Sequence, residues 1–424
     1  MNVDSIMLQR DRLGTKIFPW LVWGVAGLFV LLQFLLQTST SVMIQDLEQA
    51  FHIDVVGVSL LSSSFFYTYL FLQIPAGLVV DRFGARITLI VCMFSMVIAN
   101  IMFAKAQSLV TAEISRILLG VFSAPAVVAT LYLAARWFPA HYFALLAGLT
   151  EMLGMIGGAA GQAFLAHFVQ GVGWRTTLLG CSVAGFILAC CAYALVQDKS
   201  DDVKISSHGL SRRLPFFVSI WRVVSMPQAW INGVFSGLLF ATVAAFAGFW
   251  CIPFLMAYYS ISLSAAASAS AVIFIGTAFG APLLGWLSDR IGMRCLLMRL
   301  MTFLVCVTLS VILFFPWIPF ALMVILLFLL GIFSGIYALP FAVMRDITPS
   351  EIQGAAMGFT NMMCILLGAP IFQPIIGWFV RWHAAGAVYS LGDYQYALAL
   401  LPVSLAVAFG LTFFIQETYC RKQY

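Results

Sequence analysis

The sequence predicts an all-α membrane protein of twelve transmembrane helices in two six-helix bundles, and three observations carry that expectation. Of 424 residues, 63% are hydrophobic and 9% are charged, with a mean hydropathy of +1.04. A soluble domain carries roughly 25% charged residues, so this chain has too few to dress an aqueous surface. The apolar excess runs the whole length, with 38 phenylalanines against 21 lysines and arginines combined. The third observation is a count of twelve long apolar stretches. At roughly 20 residues per crossing they take about 240 positions, which leaves no sizeable soluble domain to place.

In chain order the stretches fall at 18–43, 56–80, 87–105, 109–134, 142–169 and 176–196, then 228–257, 262–287, 295–315, 319–343, 353–379 and 397–416. The expected organisation is an N-terminal tail (1–17), a six-helix bundle (18–196), a linker (197–227), a second bundle (228–416) and a C-terminal tail (417–424). The linker mixes charge, Ser and Gly. The segment Met1 to Lys16 carries acid as well as base and no small-residue cleavage signature, so it reads as a retained tail. With the N-terminus inside, 17 of the 21 basic residues fall in internal tails and loops, and only Lys105, Arg116, Arg175 and Arg381 do not. The first external loop is acidic, with Asp46, Glu48 and Asp54. Both termini are therefore expected to face the cytoplasm. The nine cysteines lie mostly in apolar stretches without a CxxC or a Cys/His cluster and read as small buried residues, neither disulfides nor metal ligands.

The halves repeat. Gly77-Leu78-Val79-Val80-Asp81-Arg82-Phe83-Gly84-Ala85-Arg86 recurs 208 residues later as Gly285-Trp286-Leu287-Ser288-Asp289-Arg290-Ile291-Gly292-Met293-Arg294. Pro139 with Pro349, and Gly148 with Gly358, keep a spacing of 210. Two echoes at nearly one offset indicate parallel repeats, the arrangement of two transporter halves related by an axis along the membrane normal.

Two copies of GxxxDRxGxR at matching topological positions resemble the hallmark loop of the major facilitator superfamily, and the resemblance covers essentially the whole chain. Arg116 and Gly120 on helix four fit the same pattern. Helix five, with Gly154, Gly157, Gly158 and Gly161, resembles the antiporter motif but lacks its Gly-Pro pair. Phe66-Tyr67-Thr68-Tyr69 followed by Gln73-Ile74-Pro75-Ala76-Gly77 is similar to the intraphagosomal amino-acid transporter branch of intracellular proteobacteria; siderophore and lysosomal dipeptide carriers are also similar. The resemblance implies the major facilitator fold in a bacterial inner membrane, working by alternating access without a cofactor. It implies gating by the two loops, through Gly77, Asp81, Arg82, Gly84, Arg86, Gly285, Asp289, Arg290, Gly292 and Arg294. Gly77 and Gly285 are expected to admit close helix approach, Gly84 and Gly292 to make tight turns, and the charged residues to bond neighbouring helix ends.

Three charges lie inside predicted helices, Glu113, Arg116 and Glu151, where an ionised group is costly unless it is paired or faces a wet cavity. Glu113 and Arg116 are spaced to share a face of helix four. Depth arithmetic leaves about 7 Å between Arg116 and Glu151 along the normal, a gap an arginine side chain spans. Glu151, and secondarily Glu113, are the candidate proton carriers, and Arg116 the candidate binder of an anionic group; the alternatives are a structural ion pair and helix packing. For a midplane site the polar and aromatic candidates are Gln33, Gln37, Tyr67, Asn232, Trp250, Asn361 and Gln373, with Thr38, Tyr69, Gln73 and Tyr337 beside them. Each such residue is otherwise a helix-packing contact. The GxxxxGK[ST] loop of ATPases is missing, and the basic loops are explained by topology without nucleic acid. The expected activity is proton-coupled import of a small polar nutrient, foremost an amino acid, by a carrier able to act as a monomer. A carboxylate siderophore is the alternative substrate, and a nutrient receptor the alternative class.

Overall fold

The computed structural model describes residues 3–138, 143–198, 216–349, 352–384 and 389–419. Pro139, the linker at 199–215, the last five residues and the side chain of Asp81 lie outside the described residues, as do the side chains of the N-terminal tail. Among the described residues twelve helices are long and apolar enough to cross a membrane. They are α1 (Ile17–Val42), α2 (Val55–Gln73), α3 (Arg82–Ala104), α4 (Leu109–Trp137), α5 (Leu146–Val172), α6 (Trp174–Leu195), α7 (Pro227–Tyr259), α8 (Leu263–Ile291), α9 (Arg294–Phe314), α10 (Phe320–Ile347), α11 (Ala355–His383) and α12 (Leu391–Leu411). An even number of crossings puts both chain ends on one face, called here the terminal face; the other is the distal face.

Local sequence explains where the helices start, bend and stop. Asp54 caps α2 by accepting from the Gly57 N–H at 2.9 Å, and Ser108 caps α4 in the same way through Thr111. The segment α2–α3 is continuous except at Gly84, whose φ of 81° only glycine adopts cheaply. At the distal end of α1 a run of hydroxyl residues competes with the helix for its own carbonyls. Ser39 donates to Leu36 O and Ser41 to Thr38 O, both at 2.7 Å, and the last turn tightens to 3₁₀ over Ser39–Val42. Beyond it a short helix, Ile44–Phe51, lies in the distal loop; at eight residues it is too brief to register as an apolar stretch. Two spans widen into π-helical turns, α7 at Thr242–Trp250 and α11 at Leu367–Ile371, and α10 tightens at Gly335–Ala338. Pro370 and Pro374 account for the α11 bend. No proline lies within the α7 turn itself.

Glycines set the closest helix crossings. A Cβ on Gly157 would strike the backbone of Leu31, and one on Gly161 that of Leu35, so α5 lies directly against α1. In the second bundle Gly276 and Gly280 of α8 meet Gly331 and Gly335 of α10 just as closely, a crossing by small residues at i,i+4 spacing. Gly77 and Gly285 contradict their expected role: nothing lies within 4 Å of a Cβ built on either. Their helices do not approach a neighbour at those points.

The two bundles meet along two seams, α5 against α8 and α2 against α11. Four polar links between the bundles, among the described residues, lie between the distal face and mid-depth. Arg381 pairs with Asp54; Gln162 donates to Ala247 O. Tyr67 donates to Pro370 O at 3.0 Å and Ser63 to Gln373 Oε1 at 3.4 Å. The distal side is zipped shut.

Candidate functional site

Glu151, on α5, is the centre of the site. Its side chain is exposed, yet it lies within electrostatic reach of Tyr69 on α2, Tyr337 on α10 and Cys364 on α11. A group surrounded by helices of both bundles and still reachable by solvent lines the space between them. Glu151 lies five residues from Leu146, the terminal-face end of α5, on the side away from the bonded distal seam. Among the described residues no ion pair involves Glu151.

Amides and phenols surround this carboxylate on the first bundle. Gln33 and Gln37 share a face of α1, as their spacing predicts, and bond each other through Gln33 Nε2 to Gln37 Oε1 at 3.0 Å. Tyr69 stacks on Phe65 with ring centroids 5.7 Å apart, and its hydroxyl sits beside Gln33 and Gln73. Gln33 Oε1 and Gln73 Nε2 are buried without a hydrogen-bond partner in the protein. Unspent donors and acceptors beside a cavity are the groups a polar solute satisfies. From the second bundle Tyr337 enters on the 3₁₀ turn of α10, its ring 4.9 Å from that of Phe240. Above this level a small void of about 20 Å³ remains between Gln37, Phe66, Met155, Phe274 and Gln373. A larger distal hollow of about 410 Å³ is lined by Gln45, Asp46, Glu48, Tyr389 and Tyr394. Burial there raises the Asp46 and Glu48 carboxyls above the ordinary range, Glu48 with help from neighbouring Asp54.

Several predicted site residues stand elsewhere. Arg116 is fully buried and does not pair with Glu151 or Glu113; its guanidinium donates to the carbonyls of Leu36 at 3.0 Å, Gln37 at 3.3 Å and Ser62 at 3.4 Å. It packs 5.2 Å from the Phe65 ring centroid. The expected Arg116–Glu151 pair across about 7 Å of depth does not form, because the end of α1 offers nearer acceptors. Glu113 is half-buried and, among the described residues, makes no ion pair. Asn232 is fully buried and spends its amide N–H on Gln228 O, one turn back in its own helix. Trp250 and Gln373 belong to the distal closure: Trp250 Nε1 donates to Gln373 O at 3.2 Å and Gln373 Nε2 to Ala244 O at 2.9 Å. Tyr67 crosses to Pro370 as described, and Asn361 is half-buried on α11. Sequence reasoning missed Cys364 and Gln162. Gln162 had a readable signal, since it follows Glu151 by 11 residues, about three helical turns, and so shares its face.

At the terminal face the repeated loops are held by matching devices. Asp198, just past α6, accepts from the N–H groups of Ala85 and Arg86 at 3.0 and 3.2 Å. Glu417, past α12, accepts from those of Arg294 and Cys295 at 2.9 and 2.8 Å. Each carboxylate caps a helix start, of α3 or α9, where unpaired N–H groups favour negative charge. Arg86 adds a bond to Tyr193 O at 3.3 Å, and Arg294 is paired with Asp289 at 3.2 Å and Asp346 at 2.9 Å. Arg82 and Arg290 instead lie over their neighbouring rings, Phe83 and Trp286. Gly84 and Gly292 turn with positive φ, as the motif implies. Partial burial pushes the Glu417 carboxyl up, but the N–H groups of Cys295, Arg294 and Tyr419 outweigh it and hold it below its ordinary value of 4.5. A depressed carboxyl stabilises the fold above its unfolded value and loses that contribution as pH falls through the folded one. Glu417→Gln is therefore expected to lower the unfolding temperature at neutral pH, and the gap to the parent protein to close at acid pH. Thermal scans across pH check this, and a gap independent of pH contradicts it.

The arrangement is that of a two-bundle membrane protein with a polar cavity at its pseudo-symmetry seam. Residues 26–256 and 234–419 match the Major Facilitator Superfamily, and the chain belongs to that superfamily. The probable galactarate/D-glucarate transporter GudP of Escherichia coli (strain K12) is 24% identical over 84% of this chain and 86% of its own length. The hexuronate transporter of Bacillus subtilis (strain 168) is 24% identical over 46% of this chain, and the uncharacterized transporter YybO of the same strain 26% over 38%. The matches to these two span 45% and 38% of the relatives' own lengths, less than half of either. In fold, a bacterial homolog of the human lysosomal transporter Spinster superposes with a TM-score of 0.77 at 15% identity, covering 94% of this chain and 97% of that one. A variant of the nucleoside transporter NupG gives 0.75 at 15%, over 93% and 99%. None of these relatives is named for an amino acid or a siderophore, so the superfamily stands and the narrower branch resemblance gains no support.

Proposed function

We propose that the chain is a secondary active transporter of the bacterial inner membrane, with its terminal face cytoplasmic, moving a small hydroxylated organic acid by alternating access together with protons. The observation that carries this reading is Glu151, a carboxylate between the bundles, reachable from one face and without an ionic partner among the described residues. Two negative charges in one low-dielectric site repel strongly. An anionic solute therefore fits beside Glu151 when that group holds a proton, which couples the two fluxes. The unpartnered Gln33 Oε1 and Gln73 Nε2 and the phenols of Tyr69 and Tyr337 suit hydroxyl groups, and the hexuronate and galactarate/D-glucarate relatives are named for acids of that kind. Carboxylates thus replace the amino acid as first choice, although an ammonium group would pair with ionised Glu151 directly and keeps amino acids as the second reading. The terminal loops, with Arg86, Asp289 and Arg294 tied to neighbouring helix ends, serve in this scheme as gating braces.

The test is purified protein in liposomes under an imposed pH gradient, offered D-glucarate, a hexuronate and pooled amino acids, with uptake and luminal pH recorded together. Acid uptake accompanied by luminal acidification is expected. Gradient-driven uptake of amino acids alone selects the second reading, and binding without flux overturns the carrier reading in favour of a receptor.

A further inference from the structure

Two backbone carbonyls of the second bundle lack their normal helical donors, and the first bundle supplies the replacements. In α7 the Cys251 N–H bonds Phe246 O, five residues back. In an α-helix it would bond Ala247 O, so that carbonyl loses its regular partner where the π turn ends. In α11 the N–H that would bond Pro370 O belongs to residue 374, a proline, and does not exist. A buried carbonyl without a donor is costly. Ala247 O receives Gln162 Nε2 from α5, and also Ser270 Oγ from α8 at 3.2 Å. Pro370 O receives the Tyr67 hydroxyl from α2 at 3.0 Å. Gln162 is fully buried. Its bond joins the α5 side to the second bundle, and that of Tyr67 joins the α2 side, so each seam carries one.

We propose that Gln162 and Tyr67 are the distal clasp of the transport cycle: each satisfies an orphan carbonyl of a π-helical turn across the seam, and their release accompanies opening of the distal side. This rests on the alternating-access reading above and extends it, since it makes the π turns of α7 and α11 the elements whose backbone bonding differs between states. The two residues are positioning residues here. Arg381 and Asp54 add an exposed pair at the rim of the same closure, where an ion pair is worth little.

The native cysteines report on both sides of the seam. Cys251 follows the α7 π turn and is buried on the distal side; Cys364 lies on α11 within reach of Glu151. The full-length protein in nanodiscs is treated with N-ethylmaleimide, without substrate, and the rate of modification at each cysteine is read by peptide mass spectrometry. Gln162→Leu is expected to speed Cys251 modification about five-fold, the worth of one net buried hydrogen bond, without speeding Cys364. Tyr67→Phe, which removes one hydroxyl and no packing volume, is expected to act in the same direction. An unchanged Cys251 rate in both variants overturns the clasp, and so does an equal rise at Cys251 and Cys364, which reports general loosening. A missing proton-driven flux in the parent protein is a separate result and counts against the transport reading alone.

Discussion

Glu151→Gln is expected to abolish concentrative uptake while leaving exchange of labelled for unlabelled substrate in place. A gradient of one pH unit supplies about 1.4 kcal/mol per proton, enough for about tenfold accumulation of a solute moved with one proton. Glutamine keeps the size and hydrogen-bonding capacity of the residue but does not titrate, so the accumulation ratio falls to about 1 whatever the gradient. Glu151 is singled out because it lies within electrostatic reach of groups on α2, α10 and α11 at once. Glu151→Asp retains the titrating group and is expected to retain coupling at a lower rate. The measurement is substrate flux and luminal pH in the same liposomes; undiminished proton movement per substrate in the glutamine variant removes Glu151 from the mechanism.

Arg116→Leu is expected to damage the fold far more than any binding site. The guanidinium holds three carbonyls, two of them at the end of α1, and bridges α1 and α2 to α4. Hydrogen bonds from a charged donor contribute about 1.5–3 kcal/mol each, and losing the set strands buried acceptors. The expected loss is on the order of 3 kcal/mol or more, seen as a sharp fall in unfolding temperature in detergent. Arg116→Lys recovers little, because one ammonium does not reproduce a planar fork. A variant that stays folded at the parent temperature but loses affinity for an acidic substrate would return Arg116 to the role its sequence position first indicated.

The contrast between these two residues shows where sequence reasoning reached and where it stopped. Both are charges in apolar helices, and the cost of burying charge marks both as exceptional. Which one faces solvent depends on helix rotation and on the end of α1, where the Leu36 and Gln37 carbonyls, just before the 3₁₀ turn, claim Arg116 first. The Gln33–Gln37 pair was legible because four residues make one helical turn. Asn232 shows a related limit: a lone amide in an apolar helix looks the same whether it faces a cavity or bonds back to its own backbone. Glycine roles divided likewise. Positive φ at Gly84 and Gly292 follows from a turn motif, but whether a neighbour passes close to Gly77 or Gly285 is decided by packing alone.

By itself the sequence determined the number of crossings, the division into two halves, the repeated loops and the placement of both termini on one face. Those follow from local quantities: hydropathy over a span, charge beside it, and the even count of helices. Only the tertiary structure decided which side of the seam is closed, which polar groups meet across it, and that the α7 and α11 carbonyls take donors from the other bundle. Such pairings join residues 85 and 303 positions apart. No local pattern encodes them, because they depend on how far each helix turns, tilts and widens before it meets its partner.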